Sequence, residues 1–342
     1  MNRTAGPRRV PVIALTGHLG AGKTSLLNHL LRRPGARLGV IVNDFGALNV
    51  DAALISGQVN QAAAISGGCL CCLPDAGGLD DALESLARPL LKLDAILVEA
   101  SGIAEPVALD RLIRFSGAEH IRSGGMVEVI DAVDYFDTLD TGELPPARLR
   151  APSLVIIGKT DLLPPDEREP RIRRIIDRIH SVNPRVECIV AERGGVDPDL
   201  IFDSAEHEDP PDQLPIAQLI REQSPDHAQH DHVHSASLEL PETIAPDALV
   251  ELLERPPQGA YRLKGRVRIL TERGMAGYRI DVVGRFIDVV RLPAPPNPGE
   301  VVVIGADLDE QAAQVRLHNV AAAPNTEHDE VGLRRLLRYQ RS

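Results

Sequence analysis

Residues Arg9–Thr24 read RVPVIALTGHLGAGKT, and this stretch decides the fold. Its first half, Arg9–Thr16, is a short, nearly unbroken apolar run of the kind found in a strand buried on both faces. Its second half, Gly17-His18-Leu19-Gly20-Ala21-Gly22-Lys23-Thr24, fits the pattern G-x-x-x-x-G-K-[ST]. The residues that follow, Lys23–Arg33 (KTSLLNHLLRR), read as a helix. A glycine loop between strand and helix turns its backbone N–H groups toward phosphate oxygens, and the helix N-terminus favours the negative charge. In that setting Lys23 reaches the β- and γ-phosphates and the Thr24 hydroxyl suits Mg²⁺. The expected nucleotide contacts in this segment are therefore Gly17, Gly20, Ala21, Gly22, Lys23, Thr24 and Ser25. His18 fits loop shape or a nucleotide contact better than a metal ligand.

Further apolar runs follow at Leu38–Val42, Ala95–Val98, Met126–Ile130, Leu154–Ile157 and Val186–Val190. Helical patterns separate several of them, at Leu79–Leu91, Pro106–Phe115 and Glu167–His180. Strands alternating with helices predict an α/β domain with a mostly parallel sheet covered on both faces, spanning residues 1–202. From 203 to 234 the composition turns to Asp, Pro, Gln and His, which reads as an acidic, His-rich linker. Beyond it, Ser237–Leu240, Tyr261–Leu270, Tyr278–Val283, Arg285–Leu292 and Glu300–Ile304 read as strands. Helices are expected near Asp247–Arg255 and at Asp309–Leu317. Residues 235–320 are thus expected to form a small α+β domain with a mostly antiparallel sheet, and 321–342 a tail.

The composition narrows the class. The 342 residues are 43 % hydrophobic and 25 % charged, ordinary for a globular chain. A net charge of −12 lacks the basic footprint that nucleic acid or anionic lipid requires, so neither is an expected partner. No apolar run reaches the length of a membrane span, and Met1–Arg9 lacks the apolar core of a secretion signal. Three of the four cysteines crowd into Cys69, Cys71 and Cys72, too close for a disulfide framework, which points to a reducing compartment. Only Lys23, Lys92, Lys159 and Lys264 interrupt a chain that otherwise uses arginine.

Several of these residues extend the nucleotide reading. Glu99 ends the run at 95–98, where a carboxylate reaches Mg²⁺ or the attacking water. Asp44 ends the run at 38–42, and Asp51 follows in a segment suited to sensing the γ-phosphate. Lys23, Asp51 and Glu99 are the expected catalytic set; Thr24, Asp51 and Glu99 are the expected Mg²⁺ ligands. Gly158-Lys159-Thr160-Asp161 follows a strand and resembles N-K-x-D, the guanine-reading motif, with Gly158 in the place of Asn. The aspartate accepts from guanine N1–H and N2–H₂, which adenine cannot donate, and the lysine stem covers one face of the base. GTP is the expected nucleotide.

Metal-type residues form two groups. Cys69, Cys71 and Cys72 offer three soft thiolates suited to Zn²⁺ or related ions, leaving one tetrahedral position open. A redox thiol cluster or inert buried cysteines are the competing readings. His227, His230, His232 and His234 fall within eight residues and suit accessory, weak binding of a divalent ion; a merely solvated linker is the alternative. Cys188, alone on a predicted strand, reads as a small apolar residue.

Taken in order, these segments resemble the CobW-like GTPases, in the class that also contains the nickel-insertion proteins of urease and hydrogenase. The likeness runs through Gly17–Thr24, Asn43-Asp44-Phe45-Gly46, Asp51, Gly68–Cys72, Glu99-Ala100-Ser101-Gly102 and Lys159–Asp161. It continues into Lys264-Gly265 and Val303-Ile304-Gly305. The chain departs from the family pattern at Gly158 and at Ala47, where many relatives carry Glu. The resemblance implies a cytoplasmic GTP-dependent metallochaperone with Cys69, Cys71 and Cys72 as metal ligands and Glu99 in the Walker B position. It also implies a client metalloprotein and often homo-oligomers. Zinc is the expected cargo, cobalt the next. A metal buffer with a vestigial nucleotide site and a thiol-redox-regulated NTPase are the rival functions.

Overall fold

A computed structural model describes residues 9–32, 36–44, 61–66, 77–100, 106–191, 195–203, 234–240, 243–323 and 329–340. These fall into two compact units, one within residues 9–203 and the other within 234–340. The first holds seven strands: β1 (Val10–Gly17), β2 (Leu38–Asp44), β3 (Gln61–Ser66), β4 (Ala95–Glu99), β5 (Ile121–Asp131), β6 (Leu154–Gly158) and β7 (Glu187–Val190). They lie in the order β3-β2-β4-β1-β5-β6-β7, and every pair is parallel. The carboxyl ends of all seven therefore share one edge of the sheet. The described helices of this unit are α1 (Lys23–Leu31), α2 (Gly77–Leu86), α3 (Pro106–Arg114), α4 (Pro165–His180) and the single turn α5 (Pro198–Ile201).

Burial explains the unbroken apolar runs. Every residue of β1, β4 and β6 is buried. Alternate residues Val10, Val12 and Ala14 join Leu79 and Leu83 of α2 and Leu109 and Ile113 of α3 in one cluster. Farther along the sheet, Ile130, Val155 and Ile157 pack with Ile175 and Ile179 of α4. Among the described residues, no helix is long and apolar enough to cross a membrane.

The boundaries differ from expectation where local chemistry intervenes. The helix expected over Leu79–Leu91 ends at Leu86, and Pro89–Leu91 forms a separate 3₁₀ turn. Pro89 has no N–H to continue the ladder and disfavours helical backbone at Arg88. β5 starts at Ile121, five residues before the apolar run, because Gly125 at φ 97° absorbs a register irregularity against β1. The strand β3 was not expected at all.

In the second unit β8 (His234–Leu240), β9 (Arg262–Thr271), β10 (Gly274–Val283), β11 (Phe286–Arg291) and β12 (Gly299–Gly305) pair antiparallel in the order β11-β10-β9-β12-β8. The described helices of this unit are α6 (Pro246–Glu254), α7 (Glu310–Ala321) and α8 (Glu330–Leu337). Leu249 and Leu253, Leu317, and Leu336 from these helices share a core with Val267, Ile280 and Val301 of the sheet. Residues 321–342, expected as a tail, thus include a helix. Its N-cap Asp329 accepts from Gly332 N at 2.8 Å, and Arg335 and Tyr339 bind Glu254 on α6 at 3.1 and 2.8 Å.

Candidate nucleotide site

The site is built at the shared carboxyl edge of the parallel sheet, where ligands of such folds bind. β1 delivers Gly17 with φ 150° and so close to β5 that a Cβ there would lie 2.5 Å from the Val129 carbonyl oxygen. Gly22 caps α1 in a left-handed conformation (φ 104°) without any side-chain cap, so the first N–H groups of the helix face the loop. Lys23 is buried, and its Nζ donates to the carbonyls of Gly17 at 3.1 Å and His18 at 3.2 Å. The ammonium is thereby held across the loop that would receive phosphate.

β4 ends on Glu99, which is 4 % exposed. The Thr24 hydroxyl donates to its Oε1 at 3.4 Å. Two of the expected Mg²⁺ ligands, distant in sequence, therefore meet beside the phosphate loop. A hydroxyl and a carboxylate are the hard oxygen donors that Mg²⁺ selects, so the residues fit that ion.

β6 ends on Gly158, which pairs in register with Asp131 at the end of β5. A Cβ at Gly158 would meet the carbonyl oxygens of Ile130 and Ala21 at 3.7 and 3.9 Å, ordinary contact distances. Lys159 adopts φ 59° and its Nζ donates to Asp131 Oδ2 at 2.6 Å. Thr160–Leu162 form a 3₁₀ turn that carries Asp161, whose carbonyl oxygen accepts from Arg168 of α4 at 3.5 Å.

Two groups near the site escaped the sequence reading. Thr16, the residue before the loop, donates to Glu128 Oε2 at 2.5 Å and to Val127 O at 3.2 Å. Glu128 is fully buried on β5 and pairs with Arg148 Nε at 2.9 Å. An acid in the middle of the apolar run Met126–Ile130 was the available signal, since a buried carboxylate needs partners. Asp131, directly after that run, was the other. Nearby, burial and Asp140 push the Tyr135 hydroxyl well above its ordinary pKa.

Asp51, Cys69, Cys71, Cys72, His227, His230 and His232 lie outside the described residues. Asp44 ends β2, and its backbone pairs in register with Ser66, the last residue of β3. His234 opens β8, with Nδ1 3.2 Å from Glu310 Oε1 in an exposed pair. Cys188 packs partly buried against the α4 cluster, as an apolar residue would, with Sγ 3.9 Å from His180 Nε2.

Comparison with known proteins bears on the same segments. The CobW/HypB/UreG nucleotide-binding domain matches residues 11–190, and the cobalamin synthesis protein CobW C-terminal domain matches residues 233–321. The zinc chaperone CobW of Pseudomonas aeruginosa is 30 % identical over 366 residues, covering 92 % of each chain. The zinc chaperone YjiA of Escherichia coli is 28 % identical over 204 residues, covering 57 % of this chain and 61 % of YjiA. Among solved structures, Zn(II)-bound YjiA GTPase from E. coli is similar with a TM-score of 0.42 and 21 % identity, covering 92 % of this chain and 99 % of that one.

Proposed function

Because this chain belongs to the CobW/HypB/UreG family and is a P-loop GTPase, we propose that it is a GTP-dependent metallochaperone that carries zinc on Cys69, Cys71 and Cys72. The observation that supports an active nucleotide site over a vestigial one is the convergence of Lys23, Thr24 and Glu99 at one loop. Relatives named as zinc chaperones support the cargo. A cytoplasmic setting suits thiolate ligands, which a reducing compartment keeps open.

The chemistry follows from the residues. Loop N–H groups receive the phosphates, and Lys23 exchanges the Gly17 and His18 carbonyls for β- and γ-phosphate oxygens. Thr24 and Glu99, with Asp51, would hold Mg²⁺, which supplies neutralisation of phosphate charge. Asp161 accepts from guanine N1–H and N2–H₂. Water then attacks the γ-phosphorus, giving GDP and phosphate, and the contacts that ordered the γ-phosphate-sensing segments are lost. The cysteine triplet lies in sequence between Asp51 and Glu99. Ser66, three residues before Cys69, ends β3 at the sheet edge that also carries Glu99. One rearrangement at that edge would alter both sites, so hydrolysis would change the hold on the metal and release it to a client metalloprotein.

Linkage supplies the test. If GTP changes zinc affinity, zinc changes GTP affinity by the same factor, typically about 5- to 150-fold. We expect GTP titrations of the full chain to differ with and without zinc, and the difference to vanish in the Cys69→Ser, Cys71→Ser, Cys72→Ser triple variant, which retains GTP binding. Equal affinities of the unaltered chain in both conditions would sink the delivery mechanism. Cobalt in place of zinc ranks the two cargoes.

A further inference from the structure

We infer that Asp131 is a positioning residue of the guanine site: it holds Lys159 so that the lysine stem, not its charge, is presented to the base. The inference rests on the reading of Gly158–Asp161 as the base-binding segment. Asp131 and Gly158 are cross-strand neighbours, and the N–H of Ala132 donates to the Gly158 carbonyl at 3.0 Å. The end of β5 is thus locked to the motif at the end of β6.

The carboxylate of Asp131 is held on both oxygens. Oδ1 accepts from the N–H groups of Val133 and Asp134 at 2.9 and 3.4 Å, closing a local turn. Oδ2 accepts from Lys159 at 2.6 Å. Arg171 of α4 pins the same turn by donating to the carbonyls of Ala132, at 3.1 Å, and Val133. The Asp131 side chain is 11 % exposed and that of Lys159 is 35 % exposed, so the acid, held by the turn it closes, is the anchor and the lysine the more exposed partner. Lys159 also sits at φ 59°, a conformation unfavourable for a residue with a Cβ. The ion pair draws the Lys159 side chain to the end of β5. With its ammonium engaged by Asp131, what Lys159 offers a bound base is its four-carbon stem.

Two substitutions separate anchor from stem in the full chain. Asp131→Asn keeps an oxygen for the Val133 and Asp134 N–H groups but loses the ion pair. Lys159→Met keeps an apolar stem and removes the charge. Each should raise the dissociation constant for GTP about fivefold, the size expected of a partly exposed ion pair. For Asp131→Asn the KM for GTP should rise while kcat holds, since Asp131 touches no phosphate. The double variant should bind no worse than either single one, because both remove the same interaction. Losses that multiply, or Asp131→Asn binding GTP as the unaltered chain does, would overturn the inference. If Asp131→Asn fails to fold, an unchanged GTP affinity in Lys159→Met overturns it equally. A parallel titration of Asp161→Asn with GTP and xanthosine triphosphate tests the underlying reading. No change there removes the motif from the base site, and the role of Asp131 with it. A shift toward xanthosine triphosphate, with Asp131→Asn unchanged, overturns the role of Asp131 alone.

Discussion

The two sheets of this molecule solve burial differently. In the nucleotide-binding unit all residues of β1, β4 and β6 are buried, so the interior of each strand has no room for unpaired chemistry. Its single acid deep within β5, Glu128, is held by Thr16 and Arg148. The candidate site side chains accordingly stand at the edge, with Glu99 and Asp131 at the ends of their strands and Lys159 just beyond the end of β6. In the second unit β9 alternates, with Leu263, Val267 and Ile269 on the core face and Lys264, Arg266 and Arg268 on the other. Arg266 pairs there with Glu300 at 2.7 Å, both side chains about half exposed, a contact that adds little stability. The lesson is that continuous burial drives chemistry to strand termini, while alternation spreads polar groups over a face.

Three substitutions would sharpen or break that contrast. The largest effect is expected for Lys23→Ala, which removes the only lysine of the phosphate loop. GTP turnover should fall on the order of 10²–10³-fold, as for other losses of a charge-stabilising donor; phosphate release assays check it, and near-normal turnover would remove Lys23 from the reaction. Next comes Leu317→Ala in the core of the antiparallel unit, where the side chain is fully buried. It should cost about 2–5 kcal/mol in denaturant unfolding and leave GTP affinity unchanged, because the described site residues all lie in residues 17–161. A weakened GTP affinity would show that the nucleotide site depends on the second unit. The smallest effect is expected for Gly158→Asn. Space exists for a Cβ, and the amide can donate to the Ala21 carbonyl of the phosphate loop. Where that hydrogen bond of about 1 kcal/mol forms only with nucleotide bound, it tightens GTP binding by up to roughly fivefold; isothermal titration reads it directly, and weaker binding would mean that the glycine is required.

Legibility in the sequence followed locality. β1, the glycine loop and α1 were readable because each rests on contiguous residues whose pattern repeats at the period of the element. β3 was missed because Gln61-Ala62-Ala63-Ala64-Ile65-Ser66 has one β-branched residue and no alternation; its partner β2 makes it a strand. α8 was missed because Leu333 and Leu336 form too short a stripe to stand alone, and become informative only against α6, where Arg335 meets Glu254. Within the site, Lys23, Thr24 and Glu99 were all named from the sequence. The sequence did not reveal that the Thr24 hydroxyl lies 3.4 Å from Glu99, which needs β1 and β4 to be neighbours.

The amino-acid order alone therefore determined the phosphate loop, the run of parallel strands and the change to an antiparallel domain, since these depend on backbone preferences and on hydrophobic period over a few residues. Tertiary structure decided which termini stand side by side. Asp131 and Lys159 are 28 positions apart and become an ion pair only because β5 and β6 align in register. Thr16 and Glu128, 112 positions apart, bond only because β5 lies next to β1. A carboxylate's partner is set by strand order and register, which are cooperative properties of the whole sheet, and no local window of sequence contains them.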